Sequence, residues 1–327
     1  MNRFRLRTRE DAERVEDETL AAAGTRSAAS RGRVAAEEPD PWRTAFERDR
    51  DRILHSKAFR RLKHKTQVFI NPEGDHYVTR LTHTLQVTQI GGSIARFLSL
   101  NDTLTEAICL GHDVGHSPFG HTGEDALSEF VDGEWLHSHQ SVRIFESLEP
   151  LNLTTEVLDG IGAHPWKVEP PPRTSEGMIV RYADRIAYLA HDALDAIRAG
   201  VMCPNAFPVA ALRAFGEPGH RWITSMIESV VDESLRADEI RMSPEALEVM
   251  HELRSFMFER VYLRPEMEAQ RDRAKAIIRG LVLHYLDHPR DIPDTYRHSD
   301  ADTSTQVVDY VAGMTDRFAI RRYKEIA

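Results

Sequence analysis

The sequence predicts a mainly α-helical protein. Apolar residues recur at the three-to-four-residue spacing of amphipathic helices through most of the 327 residues, and no segment sustains the two-residue alternation of a half-buried β-strand. Hydrophobic residues make up 41% of the chain and charged residues 29%, so we expect a sizeable core and no wholesale disorder. No internal repeat is found. We expect one large helical domain or two ordinary ones.

The first hundred residues predict an arm followed by two helices. Residues 1–41 are charged and Ala-rich, and we expect a frayed helix and then an irregular arm. A helical pattern runs from Trp42 to about Leu62, and the Pro and Gly of Asn71–His76 predict a turn. The next helix should span about Thr82–Leu98, with Gly91–Gly92 as its weak point because glycine is a poor helix former.

Two further helices are predicted in the middle of the chain. Asn101–Thr103 should open a helix, Thr103–Glu106 has the form of a capping box, and the helix should end at Gly115. The proline-rich stretch Pro165–Gly177 predicts a loop. The helix that follows, Met178–Ala199, should be closed by Gly200 just beyond its last turn.

The C-terminal part continues in helices. Helical patterns extend to about Leu286, residues 288–304 form a polar loop, and residues 306–326 predict one or two helices. The chain therefore divides into three predicted parts: an N-terminal, partly irregular arm (1–41), a catalytic core (42–200) and a C-terminal helical region packed on the core (201–327).

Charge and cysteine content argue against several classes of protein. The formal net charge is -10, which is a poor basis for coating nucleic acid along a whole surface but leaves room for a local phosphate pocket. Cys109 and Cys203 lie outside any CxxC, so neither a disulfide framework nor a thiolate metal site is expected. The N-terminus has no apolar signal segment, and no apolar run reaches the roughly 20 residues of a membrane helix. We expect a cytoplasmic protein without membrane association.

A His-Asp pair predicts a metal site. Neighbours on a helix point about 100° apart, so His112 and Asp113 can share an ion only with ligands from other elements. His83 and Asp184 are the candidates. Two imidazoles with two carboxylates suit Mn, Fe or Mg better than a closed zinc site. A position would remain open for water or a phosphate oxygen.

The segment that follows this pair is rich in histidine. His116, His121 and Glu124 lie in a looser stretch whose glycines and proline permit tight turns that bring side chains together. Glu124 is suited to orient or polarise a histidine. The alternative is a Gly/Pro-rich loop with incidental histidines. Three histidines and an acid in one short segment favour the functional interpretation.

One face of the later helix is polar. At 100° per residue Asp184, Tyr188 and Asp192 share a stripe opposite an apolar face, and Arg185 lies beside the metal candidate, where it could meet a phosphate. The alternative is an ordinary amphipathic helix with a solvated face. The functional interpretation is a pocket with an aromatic ring at Tyr188 and a hydroxyl acceptor at Asp192.

Upstream, residues 59–67 form a basic patch in an acidic chain. Its two interpretations are a solvated helix face and an anion site for nucleotide phosphates. Arg80, three residues before His83, could bring a guanidinium next to the metal.

Five segments in this order resemble the HD-domain dNTP triphosphohydrolases, and in particular the bacterial deoxyguanosinetriphosphate triphosphohydrolase-like proteins. The resemblance covers about residue 48 to the end. The segments are RDRILHSKAFRRLKHKTQVF, TRLTHTLQV, GHDVGHSPFGHTGE, the run from Asp184 to Asp192, and VVDYVAGMTDRFA.

The resemblance implies a mainly α HD-domain helical fold with a C-terminal helical extension. It implies metal-dependent cleavage of dGTP or other dNTPs to a deoxynucleoside and inorganic triphosphate, which contributes to control of the dNTP pool. It implies one divalent ion (Mn, Mg or Fe) per site and allows an additional Mg with the triphosphate. The implied metal ligands are His83, His112, Asp113 and Asp184.

The resemblance also implies roles for further residues. The implied catalytic positions are His116, His121, Glu124 and His137, and the implied substrate positions are Gln67, Arg80, Arg185, Tyr188 and Asp192. His137 lies in WLHSHQS, which resembles a family segment usually written His-Asn-x-Gln-Ser; Ser138 replaces the Asn and puts the helix cap in doubt. Tyr188 would pack against deoxyribose and Asp192 would hold its 3′-hydroxyl. Our hypothesis makes His121 the acid, supported by Glu124 and His137, with His116 on phosphate.

The resemblance also implies partners, and two rival functions remain open. The family implies a homo-oligomer (tetramer or hexamer), an activating dNTP at a second site and, for some members, single-stranded DNA. One rival is another HD phosphohydrolase acting on nucleoside monophosphates, cyclic nucleotides or guanosine alarmones. A second rival is a nucleotide-sensing or nucleic-acid-binding module, favoured by the basic runs at Arg60–Lys65 and Arg31–Arg33. Every expected catalytic position is filled, which argues against the second rival.

Overall fold

The structure, a computed structural model, describes residues 4, 6–67, 78–297 and 300–326. Within these ranges it contains helices and no β-strand, which confirms the predicted fold class. The first seven α-helices are α1 (Arg9–Thr19), α2 (Ala45–His55), α3 (Lys57–Arg61), α4 (Arg80–Phe97), α5 (Asp102–Gly111), α6 (His121–Leu127) and α7 (His137–Arg143). They are followed by α8 (Thr155–Ala163), α9 (Ser175–Arg198), α10 (Val209–Phe215), α11 (His220–Ala237), α12 (Pro244–Met257), α13 (Glu268–Asp287), α14 (Thr303–Ala312) and α15 (Asp316–Ile326).

The helix predicted from Trp42 to Leu62 is two helices, α2 and α3. They are separated at Ser56, whose hydroxyl accepts a hydrogen bond from the Phe59 amide at 3.1 Å and so caps α3. The turn predicted at Asn71–His76 lies outside the described residues.

Helices α4 and α5 pack closely through Gly91. The predicted weak point does not interrupt α4. A side chain at Gly91 would come within 2.9 Å of the Cys109 sulfur on α5. The glycine therefore permits close approach of two helices. The predicted opening of α5 at Asn101–Thr103 is confirmed, since the side-chain oxygen of Asn101 accepts from the Leu104 amide at 3.0 Å. The capping box at Thr103–Glu106 is wrong, and the helix ends at Gly111, before the predicted Gly115.

Two other helix boundaries bear on the site. The predicted loose segment ends at Gly120, where a φ of +58° precedes the first turn of α6, so Glu124 is helical rather than irregular. Helix α9 begins three residues before the predicted Met178, at Ser175, after the Thr174 cap. Gly200 has a φ of +67° after α9, as predicted.

Two buried apolar clusters form the core. One joins residues of α2–α5 and α8–α12, and the other joins α6, α13, α14 and α15. The residues predicted to end the chain as one or two helices form two, α14 and α15. Among the described residues, no helix has the length and apolarity to cross a membrane.

Candidate functional site

Three packed helices bring the predicted metal ligands together. His83 lies on α4, His112 and Asp113 directly follow α5, and Asp184 lies on α9. The Asp184 carboxylate is 3.1 Å from His83 Nε2 and 3.9 Å from His112 Nε2. The Asp113 carboxylate is 3.5 Å from His112 Nε2 and 3.8 Å from His83 Nε2. These four side chains, here called the ligand set, converge from three elements.

The ligand set has the chemistry of a cation site. The His112 Nδ1–H donates to the Cys109 carbonyl at 2.6 Å, because a carbonyl can only accept. Its buried Nε2 therefore presents a lone pair, and that atom has no hydrogen-bond partner among the described residues. Metal-binding histidines are typically oriented in this way through the other ring nitrogen. The set fits a divalent ion.

Arginine and histidine keep the carboxylates of the ligand set ionised. Arg80 Nη1 donates to Asp113 Oδ2 at 2.7 Å, and both side chains are buried. Burial opposes the charge on Asp113, but His112 and Arg80 hold its pKa well below the usual range. Burial likewise opposes the charge on Asp184, and His83 nevertheless lowers its pKa. Ionised carboxylates are the forms that bind a cation.

Beside the ligand set, three histidines surround one buried carboxylate. Glu124 lies 2.5 Å from His116 Nδ1, 3.1 Å from His137 Nδ1 and 3.3 Å from His121 Nδ1. The rings of His116 and His137 stack, with centroids 3.8 Å apart. We call His116, His121, His137 and Glu124 the histidine wall. Burial opposes the charge on Glu124, but the neighbouring histidines hold its pKa well below the usual range.

The members of the histidine wall differ in exposure. His116 is buried, and burial, reinforced by the Arg80 charge, lowers its pKa to about 4. The His121 side chain is 72% exposed. Partial desolvation by neighbouring residues lowers the pKa of His121, but the Glu124 carboxylate raises it by more, so the net shift is upward. His121 is therefore the member with both solvent access and an affinity for a proton.

His137 is the first residue of a helix that has no side-chain cap. Helix α7 begins at His137 after Leu136, and no side chain caps it. The hydroxyl of Ser138 is buried and has no hydrogen-bond partner among the described residues. Helix α7 therefore lacks the side-chain cap that the sequence put in doubt, while His137 itself contacts Glu124.

His164 belongs to this cluster although the sequence reasoning did not select it. Its Nε2 is 3.3 Å from His137 Nε2, and its Nδ1 donates to the Ile161 carbonyl at 2.8 Å. Burial lowers its pKa to about 3. The signal in the sequence is slight: a histidine directly after a helix, followed by Pro165, in the same position relative to its helix as His112.

The predicted substrate residues lie on and around α9. The Tyr262 hydroxyl donates to Asp192 Oδ2 at 2.8 Å, and burial raises the pKa of Asp192 to about 8. The guanidinium of Arg185 stacks over the Trp166 ring, 4.0 Å from its centroid. Tyr262 and Trp166 come from distant parts of the chain, and the sequence reasoning missed both. Tyr188, together with Asp192 and Tyr262, is here called the substrate face.

The remaining predicted residue, Gln67, reaches the site from the other side. Its backbone carbonyl lies beside Gly120, and its side-chain oxygen is buried without a partner among the described residues. Arg80 also lies beside Gly120, so two of the predicted substrate residues border the turn before His121.

Comparison with known proteins gives two family matches and a set of close relatives. Residues 80–189 match the HD domain and residues 240–325 match the Phosphohydrolase-associated domain. The chain is 46% identical to the deoxyguanosinetriphosphate triphosphohydrolase-like protein of Caldanaerobacter subterraneus subsp. tengcongensis, over 98% of this chain and 96% of that protein. It is 44% identical to the protein of the same name from Desulfatibacillum aliphaticivorans, over 97% of each chain. With that of Clostridium perfringens strain 13 it shares 41% identity over 98% of each chain.

Proposed function

The chain belongs to the deoxyguanosinetriphosphate triphosphohydrolase-like family of HD-domain proteins, and we propose from this premise that it hydrolyses deoxynucleoside triphosphates. The products would be a deoxynucleoside and inorganic triphosphate, and the activity would contribute to control of the dNTP pool. The observation that carries the proposal is the shared position of Asp113. Its carboxylate lies 3.5 Å from His112 Nε2 in the ligand set and 3.2 Å from His116 Nε2 in the histidine wall.

A divalent ion held by the ligand set would supply Lewis-acid polarisation of the α-phosphate and orientation of the attacking water. The residues that would hold it are His83, His112 and Asp184, which lie close enough to share one ion, and Asp113, whose carboxylate approaches both histidines. Their mixed nitrogen and oxygen donors suit Mn, Mg or Fe. Arg80, which donates to Asp113, supplies a fixed positive charge beside the triphosphate.

The histidine wall supplies the proton for the leaving group. Cleavage at the α-phosphorus releases the 5′-oxygen as an alkoxide, which needs a proton as its bond to phosphorus breaks. We assign this proton to His121, since its ring is exposed and its pKa is raised by Glu124. His116, which is buried and lies 3.2 Å from Asp113, is assigned to the phosphate side.

The substrate face supports selection of a deoxynucleotide. The Tyr188 ring would pack against the sugar and leave no room for a 2′-hydroxyl. Asp192 would hold the 3′-hydroxyl, in concert with the Tyr262 hydroxyl that already contacts it. A nucleotide that lacks the 3′-hydroxyl would leave the buried polar groups of Asp192 and Tyr262 without their partner. Its affinity should therefore be much lower than that of the dNTP.

Product analysis tests the proposal. The full chain is incubated with each dNTP, singly and mixed, with Mn or Mg, and the products are identified by ion-exchange chromatography. We expect inorganic triphosphate and deoxynucleoside, with GTP cleaved far more slowly than dGTP. Stimulation of one dNTP's hydrolysis by another would support an activating site in a homo-oligomer. Release of a single phosphate would instead favour the rival HD phosphohydrolases, and no turnover of any dNTP would refute the proposal.

An inactive variant shows that the activity belongs to this site. Asp113→Asn removes the charge shared by the ligand set and the histidine wall, so it should abolish turnover. The matched control is His139→Ala, which removes an exposed histidine of α7 that belongs to neither group of residues. It should retain wild-type turnover.

A further inference from the structure

Two buried aspartates of the C-terminal helices reach into segments that carry the histidine wall. Asp309 lies on α14 and accepts from Gln140 Nε2 at 2.8 Å and from Arg143 Nε at 2.8 Å. Both partners lie on α7, which begins with His137. The Asp309 carboxylate is buried, so these bonds act in a medium of low polarity, where they are strong and directional.

Asp316, the first residue of α15, makes a second tie. It accepts from the Phe119 amide at 3.1 Å, from the Thr66 amide at 3.0 Å and from the Thr66 hydroxyl. Phe119 has a φ of +64°, an uncommon conformation for a side chain of this size, and it precedes Gly120 in the turn that leads into His121. The Asp316 carboxylate therefore joins the turn at Phe119 to the segment that carries Gln67.

Lys65 makes a third tie to the same region. Its buried ammonium group donates to the His116 carbonyl and, at 3.3 Å, to the Ala312 carbonyl at the end of α14. The three ties thus reach His116, the turn before His121, and the helix that begins with His137. Among the described residues, no hydrogen bond joins Asp309 or Asp316 to the ligand set.

We propose that α14 and α15 form a brace that positions the histidine wall, with Asp309 and Asp316 as its positioning residues. This inference rests on the proposed function, in which the wall handles the proton. A displacement of a reacting group by about 1 Å can cost on the order of 100-fold in rate. The C-terminal helices also share a buried apolar cluster with α6, the helix that begins with His121. The proposal predicts that metal binding by the ligand set does not depend on the brace.

Asp316→Asn and Asp309→Asn in the full chain test the brace. Each keeps the volume of the side chain but weakens acceptance of the bonds to the wall segments. We expect kcat to fall roughly 10- to 100-fold, KM to change by less than about threefold, and bound metal to stay at the wild-type level. Hydrogen–deuterium exchange should rise in residues 114–124 for the first variant and in residues 137–143 for the second.

The control variant is Glu325→Gln, which removes a carboxylate of α15 that pairs with Arg322 at the surface. It should leave kcat, metal content and exchange unchanged. If Asp316→Asn fails to fold, Thr66→Val replaces it, since valine lacks only the hydroxyl donor and should show the same pattern at smaller amplitude.

Two results would overturn the brace: full kcat in both aspartate variants, or loss of bound metal in step with activity, which would indicate a general role in folding. Absence of dNTP hydrolysis by the wild-type chain would refute the proposed function separately. The exchange data would then decide the brace alone, and unchanged exchange in both wall segments would overturn it.

Discussion

At the scale of single residues, Glu124 determines how charge is distributed in the histidine wall. One carboxylate can stabilise one adjacent imidazolium, and two stacked rings 3.8 Å apart resist carrying two positive charges. Burial and Arg80 lower the pKa of His116 to about 4, so that ring is neutral at physiological pH. The pKa of His121 is shifted upward and its ring is exposed, which is why the proposed function gives the proton to this ring.

His121→Ala should therefore lower turnover of every dNTP on the order of 100-fold or more, because the leaving alkoxide loses its positioned acid. Bound metal should be unchanged, since His121 lies outside the ligand set. Steady-state kinetics and metal analysis of the same preparation provide the measurement. His139→Ala serves as the matched histidine deletion. Near-wild-type activity of His121→Ala would assign the proton to another member of the wall.

Burial of the Asp192 carboxyl lowers the stability of the protein at pH values where that group must ionise. Its pKa is raised from 3.8 to about 8 by burial, so the native state binds this proton more tightly than the unfolded chain. Stability attributable to this group therefore falls as pH rises from 3.8 to about 8. Asp192→Asn should raise the free energy of unfolding by about 1 kcal/mol or more at pH 8 and by less at pH 5. Urea denaturation at the two pH values measures the difference.

The same substitution should weaken dNTP binding, because the amide replaces one of the two carboxyl oxygens, which can accept a hydrogen bond from the sugar hydroxyl, with an NH2 group that can only donate. The matched control is Asp195→Asn on the same helix, whose carboxylate accepts from Arg198 at 2.9 Å. Loss of that charge should not stabilise the protein. Equal stability changes at pH 5 and pH 8 would contradict the assigned titration of Asp192.

Much of the site was accessible from the sequence because local spacing limits where helical side chains point. The stripe of Asp184, Tyr188 and Asp192 follows from the helical repeat alone. Contacts made by segments far apart in the chain do not follow from spacing. Tyr262 reaches Asp192 across 70 positions, and His164 meets His137 across 27, so neither partner is visible in a local pattern.

At the scale of elements, Gly115 sets the distance between the loop of His116 and helix α7. A side chain at Gly115 would lie 2.3 Å from both the His137 carbonyl and the Ser141 amide. The Gly115 amide itself donates to the Ser141 hydroxyl at 2.9 Å. The sequence predicts that a helix ends near this glycine, but the reason for glycine is backbone contact with a later helix, which no local pattern encodes.

Gly115→Ala should consequently destabilise the protein by about 1–3 kcal/mol, since backbone atoms cannot move aside as a flexible side chain can. Turnover should fall as well, because His116 and His137 would separate. Gly92→Ala is the control: its nearest neighbour is the guanidinium of Arg96 at 3.2 Å, which can move. That variant should match or exceed wild-type stability by up to about 1 kcal/mol. Equal effects of the two substitutions would contradict the packing argument.

At the scale of the whole molecule, the N-terminal arm is an integral part of the fold. The predicted helix is present as α1, and the irregular segment after it is attached to the core by buried carboxylates. The side chain of Arg33 pairs with Asp49 on α2, and Asp49 also accepts from the Thr154 amide at 2.8 Å. The charged composition predicts a frayed helix and an irregular arm, whereas in the structure arginines of the arm pair with the buried carboxylates of Asp49 and Glu156.

Arg33→Met should leave the Asp49 carboxylate buried without its cation, at a cost of about 3–5 kcal/mol in the free energy of unfolding. Burial already raises the pKa of Asp49 against the opposing effect of Arg33, and removal of Arg33 would raise it further. A raised carboxyl pKa means that the free energy of unfolding falls as pH rises. The difference in stability between the variant and the wild type should therefore be largest at neutral pH and smaller in mild acid. Urea denaturation at pH 7 and pH 5 measures both effects.

Arg31→Met provides the comparison that separates a buried pair from an exposed one. Arg31 pairs with Glu156 at 3.1 Å but is 39% exposed, and Glu156 keeps its bonds from the Arg31 amide and the Ser30 hydroxyl in the variant. Its loss should cost less than about 1 kcal/mol with little dependence on pH. If both variants lost the same stability, the arm would be held by its general packing, and the buried pair of Arg33 and Asp49 would have no special role in joining it to the core.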